Sequence, residues 1–114
     1  MKKLFIAAMV AAAFTSCSTT KTLYSWYDYE DATYQYNKKP TEELKVTMLG
    51  QYKKLAEKQK GTRGVVPPGL NSEYGYLLYK SGKKEEGLEY FKKEIALYPE
   101  SEVYISRIIK QLEK

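Results

Sequence analysis

The sequence predicts an all-α chain: two helical hairpins followed by a C-terminal capping helix. Three observations predict it. Leu44, Met48, Tyr52 and Leu55 recur at helical spacing and form one apolar stripe. Between Asn71 and Ser101, two further short stripes are joined at Gly82 and closed at Pro99. A last stripe, Tyr104, Ile105, Ile108 and Leu112, runs to the end of the chain. At 114 residues, 29% of them charged, this is one small domain.

The amino terminus reads as an address. Lys2 and Lys3 precede eleven apolar residues, Leu4 to Phe14, and then Thr15, Ser16 and Cys17. A charged start, a short apolar run and small residues describe a secretory signal. Eleven residues are too few to span a bilayer, which takes about 20. Phe14-Thr15-Ser16-Cys17 resembles a bacterial lipobox, with Phe14 where leucine is usual. That resemblance implies that residues 1–16 are removed and that Cys17 becomes the lipidated first residue. A single cysteine has no internal disulfide partner, and lipidation accounts for it. Acyl chains contribute about 0.8 kcal/mol per buried CH₂, so several anchor stably. Ser18, rather than Asp, follows the cysteine; by the common lipoprotein sorting rule this implies the outer membrane. No acidic cluster of the kind that marks surface export follows Cys17, which favours the periplasmic face. Residues 17–22 form the lipidated cysteine and its tether. The five residues after Cys17 reach at most about 17 Å, which keeps the domain near the membrane. Loss of Lys2 and Lys3 lowers the net charge from +5 to +3, 17 basic against 14 acidic residues.

The folded part is residues 23–114. Leu23 to Tyr36 holds five of the twelve tyrosines and the only tryptophan, Trp26. Trp26, Tyr29 and Thr33 share a helical face; Tyr27 and Tyr29, or Tyr34 and Tyr36, alternate as a strand would. An isolated two-stranded hairpin is marginal in water, so a helix over about Ser25 to Asn37 is the reading taken. Thr41 is placed to cap the next helix, with Glu42 and Glu43 in its first turn. That helix is the longest, about Thr41 to Lys60; Gly50 weakens it slightly and Gly61 stops it. Pro67 and Pro68 stiffen the connector Gly61–Gly69, and Pro68 suits the opening of the following helix.

The second hairpin carries the most architecture. Tyr74, Leu77 and Leu78 face inward from its first helix, and Leu88, Phe91, Ile95 and Tyr98 from its second. Gly82 suits a left-handed turn, Glu85 and Glu86 suit a helix start, and Pro99 ends the ladder. Gly75 and Gly87 lie inside helices at a cost of about 1 kcal/mol each, which predicts a close backbone crossing. The order Gly75, Gly82, Gly87, Phe91, Pro99 resembles the tetratricopeptide repeat. Asn71, Leu78 and Glu94 depart from that repeat's tryptophan, aromatic and small positions. Ser101 then caps the final helix, whose outer face, Ser106, Arg107, Lys110 and Glu113, is polar, as a capping helix requires.

Across the mature chain, the sequence also resembles a family of small Gram-negative lipoproteins of unknown function. Trp26 with its tyrosines, Lys39-Pro40, Pro67-Pro68-Gly69, Glu73-x-Gly75-Tyr76-Leu77 and Leu97-Tyr98-Pro99-Glu100-Ser101 carry the resemblance. Members of that family tend to be encoded beside a curli-secretion-channel-like lipoprotein and another small lipoprotein. The resemblance implies a shared envelope assembly and no assigned catalytic residues.

The residues argue against catalysis. There is no histidine, and the one cysteine goes to lipid, so the usual transition-metal ligand sets are missing. Glu42/Glu43 and Glu85/Glu86 are explained by helix electrostatics. Gly61–Gly69 has neither the spacing nor the lysine of a phosphate loop. Lysines interleaved with glutamates on solvated faces do not make a nucleic-acid surface. The sequence therefore predicts a non-enzyme with no metal and no cofactor beyond the covalent lipid on Cys17. Trp26, Tyr27, Tyr76 and Tyr79 are the candidate partner-binding residues, since Tyr24, Tyr27, Tyr36, Tyr76 and Tyr79 exceed what a small core holds. The expected function is an adaptor for other envelope lipoproteins. The alternative is a binder of peptidoglycan or another glycan through the amino-terminal aromatics.

Overall fold

The computed structural model describes residues 22–114. Cys17, the signal segment and most of the tether lie outside them. The described residues form five α-helices: α1 Tyr29–Lys38, α2 Glu42–Glu57, α3 Leu70–Lys80, α4 Lys84–Leu97 and α5 Glu102–Leu112. No strand occurs among them. None of these helices is long and apolar enough to cross a membrane.

Local chemistry explains most of the boundaries. Thr41 Oγ1 accepts the Leu44 amide at 3.2 Å and starts α2. Gly69, at φ +88° and ψ −17°, follows Pro68 in a turn closed by Leu70 N–H donating to Pro67 O at 3.2 Å. This is a type II turn, and it delays α3 to Leu70 instead of letting Pro68 open the helix. Gly82, at φ +95°, ends α3 in a Schellman motif: Lys83 N–H donates to Leu78 O and Gly82 N–H to Tyr79 O. Pro99 ends α4 and opens a 3₁₀ turn, Pro99–Ser101. Ser101 does not cap α5 as expected; its hydroxyl donates back to Tyr98 O at 2.6 Å.

α3 and α4 pack antiparallel, Tyr79 opposite Gly87 and Gly75 opposite Phe91. A Cβ on Gly75 would stand 2.7 Å from Gly87 O, and one on Gly87 would stand 2.5 Å from Gly75 O. The two glycines are therefore the predicted close crossing. α1 packs against α2, and α2 against α3. Met48, Tyr52, Leu55, Leu70, Tyr74, Leu78 and Tyr90 form the centre of the core. Five successive ring contacts run from Tyr24 through Trp26, Tyr29, Tyr52 and Tyr74 to Tyr90. The ladder runs from the exposed Trp26 into the core, where Tyr52, Tyr74 and Tyr90 are buried.

The amino-terminal helix is shorter than Ser25–Asn37. Residues 22–28 form an irregular strap along the end of α2 and its connector. Thr62 N–H donates to Thr22 O and Arg63 N–H to Leu23 O. The Gln59 side-chain amide donates to Ser25 O at 3.2 Å, and its Oε1 accepts the Ser25 amide. The same pairing truncates α2 at Glu57, because Lys58–Gly61 leaves the helix to meet the strap. Tyr27 takes φ +49° at the turn into α1, and its hydroxyl donates to Lys58 O. Gly61 does not stop α2, which ends at Glu57; it lies under the strap, where a Cβ would overlap the backbone of Leu23 and Tyr24.

Glu94 is 2% exposed, at the position where the repeat resemblance has a small residue. Its Oε1 accepts the backbone amide of Gly69 and so caps α3 from across the hairpin, with the Asn71 amide also favouring its charge. Oε2 has no partner among the described residues. Burial pushes its pKa up, the two amides oppose this, and Glu100 adds to the rise. A raised folded pKa means that the folded state binds the proton more tightly than the unfolded chain does. Stability is then fully present below the unfolded value of about 4.5 and falls as pH rises through the folded value. Glu94→Gln keeps an acceptor for Gly69 and removes the buried charge. It should melt higher than wild type at pH 7.5 by several degrees, and the gain should vanish near pH 4. Calorimetry at the two pH values checks this.

Candidate binding groove

α5 leaves the 3₁₀ turn beside α3 without closing against it. Ile105 is fully buried, whereas Ile108 and Leu112 are half-buried. Tyr104, expected in the buried stripe, is 63% exposed. At α-helical spacing Ile105 turns about 100° away from Tyr104, so the face that buries Ile105 leaves Tyr104 outside. The space between α3 and α5 is an open groove of about 530 Å³. Tyr76, Leu77 and Lys80 line it from α3, Tyr104, Ile108 and Leu112 from α5, and Tyr52 from α2.

A second hollow of about 380 Å³ continues it toward the strap and includes Trp26, Tyr29 and Pro68. Ser72, Glu73 and Tyr104 line both, so the two are one concavity. Glu73 sits at the junction. Tyr29 OH donates to its Oε2 at 3.1 Å and Tyr52 OH at 3.3 Å. Burial raises the pKa of both Tyr29 and Tyr52; the contact between the two hydroxyls opposes the rise at Tyr29 and adds to it at Tyr52, and the adjacent Glu73 charge raises both. Both hydroxyls are thus held as donors toward the carboxylate.

The four candidate residues separate. Trp26 and Tyr76, 45% and 43% exposed, line the joined concavity. Tyr27 lies apart, in a shallow hollow with Asp28, Glu30, Asp31 and Tyr34. Tyr79 packs at the glycine crossing, with Lys84 Nζ 5.7 Å from its ring centre. Sequence reasoning missed Glu73 and Tyr104 as groove residues. Glu73, three residues before Tyr76 on the same helix face, carried the available signal.

Fold and groove together define an all-α protein with an open, aromatic-rimmed concavity. The chain belongs to the family described as Domain of unknown function (DUF4810), which it matches over residues 23–108. No curated protein matches it, and no solved structure does.

Proposed function

We propose that this chain is a lipid-anchored, periplasm-facing outer-membrane lipoprotein that acts as a non-catalytic adaptor for envelope proteins. The anchor is the lipid on Cys17, and the helices follow a tetratricopeptide-like order. One observation carries the adaptor reading: the groove between α3 and α5 leaves Tyr76 and Tyr104 exposed and Ile108 and Leu112 only half-buried. Helical repeats bury such faces against a neighbouring repeat or a partner. Aromatic rims of this kind are typical of protein-binding surfaces. Other envelope lipoproteins are the expected partners.

A Tyr76→Ala/Tyr104→Ala double variant tests the reading. Both side chains are largely exposed, so its melting temperature should stay within a few degrees of wild type. Envelope proteins that co-purify with wild type should be lost or reduced at least tenfold. Undiminished co-purification would remove the groove from the account. The exposure of Trp26 favours a second reading, glycan binding by ring stacking. It predicts pelleting with purified sacculi that Trp26→Ala abolishes.

A further inference from the structure

The mature chain is basic, but the concavity is acidic. Glu73 lies where its two hollows join. An adjoining hollow of about 350 Å³ shares Ser72 and Tyr104 with them and is lined by Glu94 and Glu100. Among the described residues Lys80 is the one cation lining the three hollows, seven residues beyond Glu73 and so roughly 10 Å further along α3. The carboxylates are therefore not neutralised from within the groove. Glu94 is 98% buried beneath that third hollow, with Oε2 unpartnered among the described residues.

The local chemistry around Glu73 is specific. Two phenols hold its Oε2, and the residue is exposed, so its other oxygen is open to a ligand. Trp26, Tyr29, Tyr76 and Tyr104 line the two hollows that meet at Glu73, with the Trp26 and Tyr29 rings 5.5 Å apart. A carboxylate among aromatic faces suits a cation with a flat or apolar stem. The anion pairs with the charge and the rings attract it by cation–π interaction. The groove continues past that point onto Leu77, Ile108 and Leu112, which suit an apolar neighbour.

We propose that Glu73 and its aromatic neighbours form a subsite for an arginine or lysine side chain of a partner protein, bound as an extended segment with an apolar residue following in the α3–α5 groove. This rests on the adaptor reading and gives the partner a chemistry: a basic residue next to an apolar one. An anionic lipid headgroup is repelled by the same carboxylates.

The test uses the full-length lipidated chain in neutral polyoxyethylene micelles, with Trp26 emission as the readout, since Trp26 is the only tryptophan. The probes are Ala/Ser dodecapeptides that differ only in a central Arg-Leu, Lys-Leu, Gln-Leu or Glu-Leu pair. The Arg and Lys peptides should bind at least fivefold more tightly than the Gln peptide, and the Glu peptide more weakly still. Glu73→Gln leaves an acceptor for Tyr29 and Tyr52, so it should melt like wild type. It should nevertheless reduce the Arg peptide to the affinity of the Gln peptide. Equal binding of Arg and Gln peptides, no binding by any, or full Arg binding by Glu73→Gln would overturn the proposal. So would chitotetraose shifting Trp26 emission when the Arg peptide does not. Crosslinking in cells from position 104 to a protein partner would persist in those cases if only the charge subsite is wrong. Its disappearance as well would mean that the adaptor reading has failed.

Discussion

Gly87→Ala should lower the melting temperature by about 10 °C, whereas Gly50→Ala should raise it by several degrees. The same substitution gains about 1 kcal/mol of helix propensity at either site. The surroundings decide the sign. Nothing stands within 4 Å of a Cβ on Gly50. On Gly87 the Cβ meets Gly75 O at 2.5 Å and Tyr79 N at 2.9 Å, both backbone atoms that move only with their helix. α3 and α4 must separate, and Leu78 and Phe91, which are among the largest fully buried side chains, lose contacts. Overpacking against backbone costs about 3 kcal/mol, at the upper end of its usual range, and outweighs the propensity gain. For a domain of this size each kcal/mol moves the midpoint by about 4–8 °C. Thermal melts followed by circular dichroism check both variants. A Gly87→Ala protein as stable as wild type would show that the helices do not cross there.

Raising the pH above about 10 should unfold the domain cooperatively. The buried tyrosines are the reason. Tyr52, Tyr74 and Tyr90 are each at most 5% exposed. Tyr90 OH donates to Glu57 Oε1 at 2.8 Å, and Tyr52 OH donates to Glu73. Burial raises the pKa of all three; nearby carboxylate charges, and for Tyr52 and Tyr90 the hydrogen bonds, add to this. In the unfolded chain a phenol ionises near 10. The folded state therefore holds protons that the unfolded state has released, and stability falls as pH climbs past that value. Each such phenol contributes a slope of about 1.4 kcal/mol per pH unit. Urea melts at pH 8, 9.5 and 11, with phenolate absorbance at 295 nm, measure this. The buried set should ionise only as helicity is lost. Ionisation of all twelve tyrosines with helicity intact would contradict the packing described here.

What was legible in the sequence follows from how local each determinant is. Gly82, Pro99 and Thr41 act on the backbone beside them, and the structure places each where its chemistry requires. The Gly75–Gly87 crossing was legible because a glycine inside a helix needs a reason. The strap was not, since its partners lie 23 to 40 residues away and periodicity does not encode Gln59 pairing with Ser25. The burial of Glu94 was hidden for a similar reason: its partner is the Gly69 amide at the start of α3, across the hairpin. Tyr104 was misplaced because Tyr104 and Ile105 lie on two overlapping apolar faces. The 3₁₀ turn at Pro99–Ser101, not the stripe, settles which one meets α4. The groove itself depends on that exit angle, so only half of its rim could be named beforehand.

The central claim is that the α3–α5 concavity is where this chain meets other proteins. Site-specific photo-crosslinking in living cells tests it most directly. A photoreactive phenylalanine replaces Tyr76 or Tyr104 in the groove, or Tyr34, which is 58% exposed and lies in the separate hollow on α1. Discrete crosslinks to envelope proteins from positions 76 and 104, absent from position 34, are the predicted result. No crosslink from the groove, or the same products at equal yield from all three positions, would contradict the account.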